Sequence, residues 1–116
     1  MKLKGKVALV TGASRGLGAA ISRAFAAEGA AVAINYRKSK EEADQVVAEI
    51  TSEGGEAFAV QADIRNEEAV QNMVRQIEQT FGSVDILVNN ALYNYQFDPD
   101  NLSKADTLTW QEMQDQ

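Results

Sequence analysis

Apolar runs and amphipathic stretches alternate along this chain. Val7-Ala8-Leu9-Val10 is apolar at every position and predicts a buried strand over Val7–Thr11. An amphipathic helix is expected next, from about Arg15 to Glu28, with Leu17, Ala20, Ile21, Ala24 and Phe25 sharing its apolar face. Gly29 stops it. Ala31–Asn35 predicts a second strand, apolar throughout, as a strand covered on both faces should be. Ser39-Lys40-Glu41-Glu42 reads as a capping box, in which Ser39 and Glu42 satisfy each other's backbone N–H groups. The helix it opens carries Ala43, Val46, Val47 and Ile50 on one face and ends at Gly54-Gly55. Ala57–Gln61 is the third predicted strand. A third helix should start near Asn66, with Glu67 and Glu68 at its positive end. Its stripe is Val70, Met73, Val74, Ile77 and Phe81, and Gly82 stops it. Ile86–Asn89 predicts a fourth strand.

Strands alternating with helices imply parallel pairing through right-handed crossovers. The expected fold is α/β, a doubly wound parallel sheet with strand order 3-2-1-4 over residues 1–91. The pattern breaks from Leu92 to Asp106, where Tyr93, Tyr95, Phe97 and Pro99 stand among polar residues. A long loop is expected there. Thr107 or Thr109 could cap a further helix carrying Trp110 and Met113, so 92–116 reads as a loop and the start of the next element.

Composition narrows the chemistry. With 116 residues, the chain suits one small domain, and 45% hydrophobic residues can supply its core. A net charge of −6 argues against nonspecific binding to nucleic acid or anionic lipid. Cysteine and histidine are both absent, which removes disulfides, thiolate chemistry, the commonest general base and the commonest metal ligands. No metal site is expected. No apolar run approaches the roughly 20 residues of a membrane-spanning helix. The basic start is followed by an apolar run too short for a signal-peptide core of about 7–15 residues. A cytoplasmic protein is expected.

The candidate chemistry lies in Val10-Thr11-Gly12-Ala13-Ser14-Arg15-Gly16-Leu17-Gly18. A strand precedes these glycines and a helix follows, which is the context of a dinucleotide site. Gly12 permits a tight turn. Gly16 and Gly18 let a pyrophosphate approach the backbone and let the helix pack close to the sheet. The helix N-terminus adds N–H groups and a partial positive charge. The alternative is a glycine-rich turn with no ligand. The second strand ends in Asn35-Tyr36-Arg37-Lys38, with no acid until Glu41. A carboxylate there would favour the free ribose 2′-hydroxyl of NAD and repel a 2′-phosphate. Arg15 and Arg37 could instead grip the phosphate of NADP. The competing reading makes Arg37 and Lys38 a solvated charge run. Tyr36 is expected near the adenine ribose, or as a loop residue.

The spacing Gly-x-x-x-Gly-x-Gly in Thr11–Gly18 resembles the cofactor motif of the short-chain dehydrogenase/reductases. Asp63-Ile64 and Asp85-Ile86-Leu87-Val88-Asn89-Asn90-Ala91 match two further landmarks in the family's order. The run from Lys4 to about Ala91 resembles the N-terminal half of a member, most like the 3-oxoacyl-acyl-carrier-protein reductases of fatty acid biosynthesis. The resemblance implies a Rossmann-like fold that binds NADP at the carboxyl ends of strands one and four. It implies that Ser14 and Arg15 meet the adenosine-side phosphate and that the Leu17 N–H meets the pyrophosphate. Asp63 would accept from the adenine amino group, beside the Ile64 backbone, and Asn89, Asn90 and Ala91 would line the ribose. Asp63 could otherwise be a helix N-terminal acid, and Asn89 could tie strand four to its neighbour. The family usually has glycine where Leu92 stands.

Members reduce a carbonyl by hydride transfer from NADPH, using a tyrosine, a lysine four residues later, a serine and an asparagine. These lie beyond strand four in the family. Tyr36-Arg37-Lys38-Ser39-Lys40 meets the tyrosine–lysine spacing, but it follows strand two, at the adenine end. No catalytic residue is therefore assigned. The expectation is a fragment of a longer enzyme, inactive alone, whose full-length form is a homo-oligomer acting on a 3-oxoacyl thioester or related carbonyl. The alternative is a noncatalytic nucleotide-binding module or pseudo-enzyme subunit.

Overall fold

Four parallel strands make one sheet, ordered β3-β2-β1-β4, in the computed structural model of the chain, which describes residues 1–90. Ala91, the loop Leu92–Asp106 and the helix expected from Thr107 or Thr109 lie outside the described residues. The strands are β1 (Val7–Val10), β2 (Ala31–Tyr36), β3 (Glu56–Gln61) and β4 (Ile86–Val88). The helices are α1 (Gly16–Ala27), α2 (Lys40–Ser52) and α3 (Glu67–Phe81). The central register pairs Val7 with Ala31 and Val10 with Ile34, and Leu9 also faces Leu87 on the other side. The expected doubly wound topology is therefore present.

The two-residue period of a strand splits the core. Ala8, Val10, Val32, Ile34 and Tyr36 point to one face, where α1 and α2 cover them with Ala19, Ala26, Ala43, Val46 and Ile50. Val7, Leu9, Ala33 and Val60 point to the other, under Met73 and Ile77 of α3. There Phe58 and Phe81 meet edge to face, with ring centroids 5.2 Å apart. Burial on both sides explains why β1 and β2 are apolar at successive positions.

Several element ends move by one residue. β1 stops at Val10 rather than Thr11, because the chain turns at Gly12 (φ 58°). α1 starts after Arg15, which is extended (φ −159°, ψ 174°). β2 runs on through Tyr36, and β3 gains Glu56 at its start. β4 stops before Asn89. The α3 start is as expected: the Asn66 side chain accepts the Ala69 N–H at 3.1 Å.

Two local expectations are corrected. Ser39 makes no side-chain cap bond to α2. Its φ and ψ (−92°, 64°) are not those of an extended cap residue, and only its carbonyl enters the helix, accepting the Ala43 N–H at 3.0 Å. The buried face of α1 is also not the stripe of large residues. Gly18, Ala19, Ser22 and Ala26 face the sheet. Ile21 and Phe25 flank them half-buried, whereas Leu17, Ala20 and Ala24 are exposed. Close packing selects small residues, so hydrophobic size misplaces the contact face. Ser22 is tolerated because its hydroxyl donates to the Gly18 carbonyl at 2.8 Å.

At the carboxyl ends of the strands, Asn35 is 2% exposed. Its Oδ1 accepts the Gly12 N–H at 3.2 Å, and its Nδ2 donates to Ala62 O at 3.1 Å and Val60 O at 3.4 Å. Its carbonyl accepts from the Ala13 N–H at 2.9 Å. One side chain thus joins the glycine loop to the ends of β2 and β3. Replacing it by alanine leaves buried partners unmet, at about 1–3 kcal/mol for each. Asn35→Ala should lower the urea unfolding midpoint by an equivalent of about 2–3 kcal/mol. Asn35→Asp should be at least as damaging, because a carboxylate oxygen would face the two carbonyls. Equal midpoints for wild type and both variants would contradict this reading.

The second constraint is at Gly18. A Cβ there would lie 2.6 Å from the Gly12 carbonyl oxygen, 2.9 Å from Ala13 Cα and 2.6 Å from Asn90 Nδ2. Gly18→Ala should therefore destabilise by about 1–3 kcal/mol through overpacking. Alanine at an unconstrained helix position would instead add about 1 kcal/mol. Thermal unfolding distinguishes the two, since only steric conflict lowers Tm.

Candidate functional site

The loop from Thr11 to Arg15 leaves the centre of the sheet and enters α1. It is held on both sides. Towards β2 the tie is Asn35. Towards β4 the tie is Thr11, which is 3% exposed. Its N–H donates to Val88 O at 3.0 Å, and its hydroxyl lies 3.2 Å from Asn89 Oδ1. The same hydroxyl accepts the Asn90 N–H at 3.0 Å. Asn90 Nδ2 completes the link by donating to Gly12 O at 3.1 Å. The ends of β1, β2 and β4 are thus one hydrogen-bonded unit. Asp85 fixes the other end of β4, where its Oδ2 accepts the Val7 N–H at 2.9 Å.

Gly12, Gly18, Asn89 and Asn90 come together at the carboxyl ends of β1 and β4. The second role considered for Asn89, tying β4 to its neighbour, is present in its contact with Thr11. Gly16 sits at φ 61° with open space around its Cβ position. The residue at the N-cap position of α1, Arg15, makes no side-chain cap bond. Ser14 is half-buried, and Arg15 and the Leu17 side chain are exposed.

A charged cluster lies at the ends of β2 and β3. Arg37 directly follows β2, and its Nε is 3.7 Å from Asp63 Oδ2. Gln61 Nε2 donates to the Arg37 carbonyl at 3.0 Å and anchors that turn. Arg65 holds Asp63 more closely. Its Nη2 is 2.8 Å from Oδ2, its Nε is 3.0 Å from Oδ1, and its main-chain N–H is 3.0 Å from the same Oδ1. Hydrogen bonding from the Arg65 side chain chiefly, with help from its N–H and from Arg37, lowers the Asp63 pKa to about 2. Asp63 is thus an anion at any working pH. It is not the cap of α3, because Asn66 fills that position. Ile64 beside it is buried at 2% exposure.

One expected site residue is displaced. Tyr36 is the last residue of β2 and belongs to the core under α1 and α2, 8% exposed. The strand period that places Ile34 in this core places Tyr36 there too. It is neither a loop residue nor an open platform for a ribose. Conversely, Asn35, Thr11 and Arg65 were not assigned site roles from sequence. A signal existed for Asn35, a polar residue in a strand otherwise apolar on both faces, which must find buried partners. For Arg65 the only signal was its place two residues after an acid.

An apolar groove of about 270 Å³ also opens beside α3, lined by Leu9, Ile64, Val70, Met73, Val74, Val84 and Leu87 together with Thr11 and Asp85. Its walls lack the cations that a phosphate needs. Among the described residues no group of acids, histidines or cysteines could hold a metal ion, and no helix is long and apolar enough to cross a membrane.

The chain matches the short chain dehydrogenase family over residues 6–115. The short-chain dehydrogenase/reductase homolog YusS of Bacillus subtilis is 46% identical over 105 residues, covering 90% of this chain and 96% of that protein. The 3-oxoacyl-[acyl-carrier-protein] reductase FabG of Staphylococcus epidermidis is 51% identical over 86 residues, covering 74% of this chain but 35% of that protein. A Burkholderia cenocepacia short chain dehydrogenase solved in complex with NADP superposes with a TM-score of 0.79 at 46% identity, over 99% of this chain and 44% of that one. Apart from YusS, then, the chain spans less than half the length of these relatives. The family match over residues 6–115 and the likeness to YusS show that the chain, with its 3-2-1-4 parallel sheet, belongs to the short-chain dehydrogenase/reductase family.

Proposed function

We propose that residues 1–91 are the NADP-binding half of an NADPH-dependent carbonyl reductase. The observation that carries this reading is the set of donors at the carboxyl ends of β1 and β2. The N-terminus of α1 lacks a side-chain cap from Arg15, a cation stands at that terminus, and Arg37 follows β2 where an NAD-preferring site would carry an acid. This donor set fits a dinucleotide bearing a third phosphate. The backbone from Gly12 to Gly18, with the Leu17 N–H, would hold the pyrophosphate. Ser14, Arg15 and Arg37 would hold the 2′-phosphate. Asp63 and Ile64 would flank the adenine, and Asn89, Asn90 and Ala91 the nicotinamide-side ribose. Tyr36 drops out as a direct contact because its ring is in the core.

When bound, NADPH supplies a hydride to a carbonyl carbon. The residues of this chain orient it and neutralise its phosphates. The proton donor belongs to family positions beyond β4. The likeness to FabG supports a 3-oxoacyl thioester or related carbonyl as the substrate of the whole reductase. A second reading, a noncatalytic nucleotide-binding module, is favoured by one observation: YusS is matched over 96% of its length.

Calorimetry of this chain with NADPH and NADH tests the cofactor. NADPH should bind more tightly, and Arg37→Asp should weaken it by about 10–100-fold, the loss of a charge-assisted bond. NADH should change much less. Equal affinities in the wild type would overturn the NADP reading. Mixed with NADPH and a 3-oxoacyl thioester, the isolated chain should leave NADPH absorbance at 340 nm unchanged. Oxidation dependent on the thioester would show that a proton donor lies within these 116 residues, against the half-enzyme reading.

A further inference from the structure

The absence of an acid at the end of β2 is only local. The fold brings Asp63 from the end of β3 to 3.7 Å from the Arg37 guanidinium. An unshielded carboxylate in that place would do what an acid on β2 does: hold Arg37 and repel a 2′-phosphate. Arg65 alters the balance. It donates three hydrogen bonds to Asp63, two to Oδ1 and one to Oδ2. An ionised carboxylate has about four acceptor positions. Oδ1 is filled, and one position remains on Oδ2, the oxygen that Arg37 faces.

We propose that Arg65 is a positioning residue that sets cofactor preference by occupying Asp63, so that Arg37 can serve a 2′-phosphate. The inference deepens the NADP reading and rests on it. The remaining Oδ2 position is the one available to the adenine amino group. An adenine that takes it would loosen the 3.7 Å ion pair between Arg37 and Asp63, and the guanidinium at the end of β2 could then turn to the 2′-phosphate. Binding of the base and binding of the phosphate are coupled through one oxygen atom. The arrangement needs no movement of the backbone, because the Arg65 N–H and the Asp63 carbonyl, which accepts the Asn66 N–H at 2.9 Å, already fix the turn.

The test is calorimetric affinity for NADPH and NADH in three proteins: wild type, Arg65→Ala, and Arg65→Ala combined with Asp63→Asn. Arg65 is half-exposed, so its loss should leave Tm nearly unchanged. Arg65→Ala should lower the preference for NADPH over NADH by on the order of tenfold. The added Asp63→Asn should restore it, since the amide keeps an acceptor for adenine and drops the competing charge. The loss should shrink in high salt, as the groups are partly solvated. A preference that survives Arg65→Ala would overturn the proposal. So would an equal loss for both cofactors, which would mean a purely structural role. Failure of Asp63→Asn to rescue would mean that Arg65 touches the phosphate itself, and would overturn it too. Absence of any NADPH preference in the wild type would instead bring down the cofactor reading and this inference together, an outcome visible before any variant is made.

Discussion

The Asn35 side chain is the interaction on which this site depends. A buried amide must spend its donors and acceptor on the protein, and this one spends them on two segments, the glycine loop and the end of β3. The Gly12 N–H would otherwise be an unmet donor beside the sheet. Sheet pairing alone stops at the last ladder residue of each strand. Asn35 extends that order into the loop that follows β1. An apolar residue in its place could fill the volume but not position the loop.

Among the described residues the buried polar side chains are Thr11, Ser22 and Asn35, and two of them, Thr11 and Asn35, hold the loop that follows β1. Thr11 ties it to β4, Asn35 to β2 and β3, and Ser22 closes on the carbonyl of Gly18. No buried side-chain nitrogen or oxygen among those residues lacks a partner. Two of the three buried polar side chains thus lie at the carboxyl ends of the strands. The aliphatic remainder supplies burial in two layers. Gly18 then lets α1 come within contact of the Gly12 carbonyl and Asn90. Small residues on that face of α1 continue the close approach along the helix.

The charges of the site are organised differently, in solvent-facing turns where salt screens them and single pairs contribute little to stability. Arg37, Asp63 and Arg65 are all partly exposed. Their value is positional. Parallel strands end side by side, so residues from β2 and β3 that are 26 positions apart share one patch. The low pKa of Asp63 records how strongly its neighbours favour the anion. An anion held by two guanidinium groups leaves the patch able to accept a further negative group.

Hydrophobic period and glycine placement were enough to determine the order of strands and helices, the parallel topology and the position of the glycine loop. These depend on local backbone limits and on burial, which a linear pattern records. The same pattern misjudged α1, because the exposed Leu17 outranks Gly18 and Ser22 on any scale of hydrophobicity, whereas contact distance selects the small residues. It also placed Tyr36 outside a core that simple alternation along β2 extends to it. Partnerships between segments were decided only by tertiary structure. Ser39 has the sequence of a cap but not its backbone angles. Asn35 acquires its role only when Gly12, Val60 and Ala62 converge, and the acid missing from β2 returns as Asp63. Hydrogen bonds and charges act through distances of a few ångströms, and only the folded chain sets those distances.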